Sequence, residues 1–367
     1  MPKLNKRRPK SKANSPSNPR DKAQAGSLSP KCSLSILLLT AVLATLGGWY
    51  VITQCDLSPL FPPDSPAKFK SSGRQSQFYT NLPEVTEPSA MAAGRDDSFF
   101  VSEGNSIRYY VIRYTKHSTI SLKLLWKRDF DTAITALHFV KGEGKVLRGM
   151  LLVGLGNKIE SVNPNQTEGT GVLFAELRNN SRVTSICTSF NAVFVADKAN
   201  NIIVKYDMLG NQVQEIGGQE EDGFAGFNLD QSPTFSIDCV HVPSLLLATN
   251  PAKSRVEAFD TETGMWDLNR SWNLSPNQPS KLAGNNPCFL TVLPNQTVLT
   301  VEPGRNARFQ NFSLDGNLLL NFEAPFPSDV SKTQSTPMIS IGRIGGTNYA
   351  TFILSPNGQL FIYVLTN

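Results

Sequence analysis

Three histidines in 367 residues, five cysteines and a charged fraction of only 18% leave this chain short of the side chains from which most active sites are built. It has no Gly-rich phosphate loop, no nucleophile elbow and no paired-histidine zinc motif, which excludes the enzyme classes that depend on those spacings. The cysteines (Cys32, Cys55, Cys187, Cys239, Cys288) are scattered without a Cys-x-x-Cys pair. They make neither a zinc ribbon nor a disulfide-stapled miniprotein. A basic surface is also lacking once the net charge of +5 is divided along the chain. Residues 1–31 hold nine of the 35 Lys and Arg and one of the 30 Asp and Glu, or +8; the remainder holds 26 against 29, or −3. No phosphate-tracking groove for nucleic acid is therefore expected in the folded part.

Glycine and proline, at 26 and 24 residues, are well represented. That composition suits many short strands joined by turns, in place of an all-helical architecture. The one long apolar run is SLSILLLTAVLATLGGWYVI, Ser33 to Ile52, twenty residues without a charge. At 1.5 Å per residue it matches a hydrocarbon core of about 30 Å and reads as a single transmembrane helix within 32–54. Basic residues crowd the chain before it, so the positive-inside rule keeps the N-terminus in the cytoplasm and sends the C-terminal bulk outward, into the periplasm in a bacterium. A cleaved signal peptide competes, although the apolar run is long and no small-x-small site follows it cleanly. A lipoprotein reading at Cys55 puts Gln54 where a small residue is wanted. The Lys- and Pro-rich tail 1–31 is expected to be disordered, and the Pro/Ser-rich stretch 55–76 to be a spacer.

From Phe99 one pattern recurs: an apolar strand, a short polar turn, a second strand. Copies start at Phe99, Leu151, Val193, Leu246, Val298 and Thr351, spaced 52, 42, 53, 52 and 53 residues apart. A unit of that length cannot bury its own faces, and six of them predict an all-β, six-bladed β-propeller over 77–367. The last copy reaches the C-terminus one strand early. Gln77–Leu82 is expected to supply the missing outer strand and close the ring.

The copy VFVADKANNIIVKYDMLGNQVQEIG at 193–217 resembles the NHL repeat, with its apolar strand ending in Asp, its Asn-rich turn and its aromatic-Asp strand. Over about 270 residues the chain resembles membrane-anchored, exported bacterial NHL-repeat proteins. Some such relatives carry extra cysteines before the Asn-Pro of the fifth unit, where this chain reads Asn286-Pro287-Cys288. Enzymatic relatives that resemble peptidyl-amidating lyases use several channel histidines on zinc, and lactonase-like ones hold calcium with channel acids. Here His117 falls on an outer strand, and Asp238 has apolar equivalents, Leu137 and Ile186, in the neighbouring units.

Aligned on their inner strands, the units place His138, Cys187 and Cys239 at equivalent positions, with Cys288 nearby and His241 two residues beyond Cys239. Imidazole and thiolate are zinc or copper ligands. Buried packing is the simpler role for small cysteines on tight inner strands. A Cys187–Cys239 disulfide would suit an oxidising compartment, but neighbouring inner strands are expected to stand too far apart for the Cα separation of about 4.4–6.8 Å that it needs. The acidic loop Glu220–Asp222 reads as solvated surface, and Trp266 and Trp272 as closures between blades. Six Asn-x-Ser/Thr sequons (Asn165, Asn179, Asn269, Asn273, Asn295, Asn311) are incidental in a bacterial host.

The residues thus predict no catalytic set and no cofactor. The expectation is a membrane-anchored propeller that binds a protein, peptide or glycan at its channel-mouth loops. The alternative is a metal-dependent hydrolase or lyase holding zinc, copper or calcium at His138, Cys187, Cys239 and His241.

Overall fold

The structure is a computed structural model that describes residues 75–82, 84–114, 120–141, 147–166, 171–218, 226–229, 232–273, 287–302, 307–323, 337–344 and 348–365. The expected membrane segment, the basic tail, most of the spacer, His117, Glu220–Asp222, Cys32 and Cys55 lie outside them. Among the described residues no helix is long and apolar enough to cross a membrane.

Strand β1 (Gln75–Asn81) opens the described chain, and twenty-three more follow in five groups of four and a last group of three. Blade 1 is β2 (Pro88–Ala93), β3 (Ser98–Glu103), β4 (Ser106–Tyr114) and β5 (Ile120–Asp129). Blade 2 is β6 (Ala136–Phe139), β7 (Leu151–Leu155), β8 (Lys158–Val162) and β9 (Val172–Glu176). Blade 3 is β10 (Val183–Ser189), β11 (Ala192–Asp197), β12 (Ile202–Asp207) and β13 (Gln212–Ile216). Blade 4 is β14 (Ile237–Val240), β15 (Leu245–Asn250), β16 (Arg255–Asp260) and β17 (Trp272–Asn273). Blade 5 is β18 (Phe289–Val292), β19 (Val298–Glu302), β20 (Arg308–Phe312) and β21 (Leu318–Glu323). Blade 6 has only β22 (Met338–Ile344), β23 (Asn348–Leu354) and β24 (Gln359–Leu365) from its own stretch of chain. Its fourth strand is β1, paired antiparallel to β24 with Phe78 opposite Ile362. The ring is therefore the expected six-bladed propeller, closed by the expected N-terminal strand, which begins two residues earlier than the sequence suggested.

The core explains why the repeats need each other. Side chains alternate across each strand, so one strand feeds two blade junctions: Phe99 and Val101 pack toward blade 6, Phe100 between them toward blade 2. The described apolar core falls into six clusters, one per junction. Phe100 shows the density of one, with ring centroids 4.4 Å from Tyr109 and 5.8 Å from Phe139. Trp272 sits at the junction of blades 4 and 5, 4.6 Å from Phe312. Trp266 packs at the junction of blades 3 and 4 and donates from Nε1 to Glu257 Oε2 at 3.1 Å.

Antiparallel pairing gives the ring two unlike faces. Turns from first to second and from third to fourth strand share one face, here the hairpin face. The remaining turns and the blade-to-blade connections share the other, the crossover face. At the crossover end of the second strands, acceptor side chains tie in the incoming connection. Asp197 accepts from Arg182 N at 2.9 Å, Asn250 from Asn228 N at 3.0 Å, and Glu103 from Thr86 N and Glu87 N at 2.7 and 2.9 Å. Asp197 also accepts from Asn200 Nδ2 at 2.6 Å, so the Asp and Asn of the repeat signature hold this turn. In blade 6, Gly358 has φ +78°, and a Cβ there would stand 2.0 Å from Val85 O.

Candidate functional site

The inner strands β2, β6, β10, β14, β18 and β22 surround the axis, and a cavity of about 450 Å³ lies between them. Its mouth is on the hairpin face, where Lys141, His241, Pro294 and Gln296 line it. Deeper in, strand register defines one layer. Ala92 pairs with Phe100, His138 with Leu152, Cys187 with Phe194, Asp238 with Leu247, Thr291 with Leu299 and Ser340 with Phe352. Each of those second-strand partners stands three residues before the crossover-face turn residue Glu103, Leu155, Asp197, Asn250, Glu302 or Ser355. The six inner residues are therefore structural equivalents.

This corrects the sequence alignment by one residue. His138 and Cys187 are equivalent as expected, but the third member is Asp238, and Cys239 follows it by one. A register irregularity between Val183 and Ser185 in β10 hides the correspondence from a comparison of spacings.

The layer laces the blades together. His138 Nε2 shares a hydrogen bond of 3.0 Å with Thr188 Oγ1 of the next blade. Cys187 is disulfide-bonded to Cys239 of the next blade. Asp238 Oδ2 accepts from Val292 N at 2.8 Å and from Thr291 Oγ1 at 3.1 Å. Ser340 Oγ accepts from Ala93 N at 2.7 Å, across the junction where the ring closes. In each case one partner is the residue that follows the layer position of the next blade, and Asp238 binds the layer residue Thr291 as well. A second level of ties lies above it, where Ser185 Oγ donates to Ile237 O at 3.2 Å and Ser236 Oγ accepts from Leu290 N at 3.1 Å.

The disulfide overturns the expectation that these strands stand too far apart. Cα atoms of Cys187 and Cys239 are 6.0 Å apart, because the bond runs diagonally from one layer position to the residue beyond the next. It also removes both thiolates from the proposed ligand set. His138 and His241 remain near one another, but no group of three His, Cys, Asp or Glu side chains converges on a metal position among the described residues. Cys288 is buried immediately before β18, where Ser232 Oγ lies 3.9 Å from its Sγ.

Burial sets the electrostatics. His138 is pushed down to about 3 by desolvation, helped by the positive charge of Lys141 and by His241, so its imidazole is neutral at physiological pH. Burial raises the Asp238 carboxyl, against the lowering pull of the Val292 and Cys239 amides, the Thr291 hydroxyl and Lys141. Lys141 Nζ donates to Ile341 O, reaching from blade 2 past blade 1 to blade 6. The polar groups of the layer are thus engaged in ties between neighbouring blades, while the mouth offers a mixed polar and apolar rim.

No family model and no curated protein matches the chain. Among solved structures, the fold is similar to virginiamycin B lyase from Staphylococcus aureus, with a TM-score of 0.50 and 13% identity over 79% of this chain and 99% of that one. It is also similar to a luciferin-regenerating enzyme, with a TM-score of 0.53 and 9% identity over 79% of this chain and 95% of that one. At such identities the likeness establishes the six-bladed propeller fold alone.

Proposed function

We propose that this chain is a single-pass, membrane-anchored propeller of the NHL-repeat kind, displayed outside the cytoplasm, that binds a protein, peptide or glycan through the loops at its channel mouth. The carrying observation is the cavity that opens among the hairpin turns while the polar layer beneath it is spent on joining blades. A channel whose histidine, cysteines and aspartate are engaged in ties between blades is a scaffold first. The uncharged run 33–52, with the basic residues before it, supports the anchor and its direction. The Cys187–Cys239 disulfide suits the oxidising side of a membrane. The metal-enzyme alternative has lost two of its four candidate ligands to that bond.

The test places a photoreactive phenylalanine analogue at Gln296, exposed at the mouth, or at Asn180, exposed on the crossover face, in the full chain in its native membrane. A discrete adduct from Gln296 and none from Asn180 is expected. The same adducts from both positions, or none from Gln296, contradict the reading.

A further inference from the structure

The exposed large apolar side chains are unevenly shared between the two faces. Phe190, Leu209, Val242 and Met265 stand on or directly after hairpin-face turns, at 50, 70, 66 and 57% exposure. Val172 and Leu318 are the first residues of outer strands that start at that face. Among the described residues, none of the exposed large apolar side chains lies at a turn or connection of the crossover face, which carries Asn105, Asn179, Asn180 and Arg182 instead. A second observation, independent of the first, concerns the tether. Strand β1 runs antiparallel to β24, and Gln75 pairs with Leu365, the residue at which β24 ends on the hairpin face. The 74 residues that precede Gln75, with the apolar run 33–52 among them, therefore join the propeller at the face that carries the exposed apolar side chains.

From these two observations we infer that the hairpin face rests on the lipid surface, with Phe190, Leu209, Val242 and Met265 entering the headgroup region and the crossover face turned outward. The inference rests on the anchored reading above and adds an orientation to it. Four isolated side chains make a weak interfacial contact in free solution. A tether changes that balance, because it holds the face near the bilayer at high effective concentration, so little contact energy is needed to set the orientation. The channel mouth then opens toward the bilayer, and its ligand is reached from the membrane side.

The experiment uses the full chain reconstituted in phosphatidylcholine vesicles, with and without acyl-brominated phosphatidylcholine, which quenches indole only at short range. Three variants, Leu209→Trp, Met265→Trp and Asn180→Trp, are read as emission added to that of the parent chain. All three replace exposed residues in or directly after turns, and two hairpin-face sites are used so that a folding defect in one leaves the other readable. The expected result is that the emission added at Leu209 and Met265 is mostly lost in brominated vesicles while that at Asn180 is kept. A chain that stays in the vesicles through an alkaline carbonate wash, yet shows no quenching at either hairpin-face site or equal quenching at all three, overturns the orientation and leaves that face to a protein partner. A chain released by the wash overturns the anchor, and the orientation falls with it.

Discussion

The ring is held shut in two places by two different means. At blade 6 the closure is non-covalent, seven residues of β1 pairing with β24. Between blades 3 and 4 the tie is a disulfide that joins residues 52 apart in sequence. The first joins the two ends of the described chain and completes the last blade; the second links neighbours that strand packing already holds together. The contrast teaches that topology decides the worth of a tie. A strand that completes a blade hides an edge and an entire junction core, whereas a cross-link within the ring mainly restricts the unfolded chain.

The largest expected effect follows from removing the strand. Deleting 75–82 exposes the β24 edge and strips Leu82 from the core at the closing junction, where Phe99, Phe352 and Ile362 meet. Loss comparable to the whole folding free energy, about 5–15 kcal/mol, is expected as the disappearance of a cooperative melting transition. An unchanged melting temperature would show that β1 is dispensable. Replacing Cys187 and Cys239 together by Ser should cost less, about 2–4 kcal/mol, seen as a lower midpoint in denaturant with the fold retained. If this double variant suffers more than the strand deletion, the ranking of the two closures is reversed.

A third effect, read as a slope with pH, separates the layer's polar ties from both closures. In the unfolded chain His138 takes a proton near pH 6.5, whereas the folded ring resists protonation down to about 3. The unfolded state therefore binds more protons between those values, and stability falls as pH drops through the window by at most ~1.4 kcal/mol per unit. Contact with the open channel makes that slope an upper bound. Asp238, raised by burial, acts in the opposite sense from its ordinary carboxylate range upward, so the comparison is between the parent and His138→Asn, both of which keep Asp238. Weaker acid sensitivity in the variant is expected from denaturant titrations at pH 7 and pH 4; identical slopes would detach His138 from the ring's pH response.

Much of this architecture was legible in the residues. The period of about 52 predicted six blades because apolar second strands such as AVFVAD and LLLATN are buried on both faces and tolerate little polar substitution. The closing strand was legible too, since the last copy lacked one and QFYTNL at 77–82 had strand character. Register at the axis was not legible. Inner strands are short, β6 and β14 having four residues each, and the irregularity in β10 displaces one of them by a position that no spacing records. That single position turned a disfavoured pair of cysteines into a bonded one and put Asp238 in the layer. The diagonal contacts that bring a layer residue to the next blade's following position are made between separate blades and exist only once the blades have packed.

The proposed function is a display scaffold on the oxidising side of a membrane, and the ring is laced at its axis by cross-blade ties that include one covalent bond. Thiol mapping of the full chain, alkylated in its native membrane before any reductant and read by peptide mass spectrometry, tests this most directly. The predicted result is a Cys187–Cys239 linked peptide pair, with Cys288 alkylated only after denaturation. Cys187 and Cys239 both recovered as alkylated thiols from the folded, membrane-bound protein would contradict it.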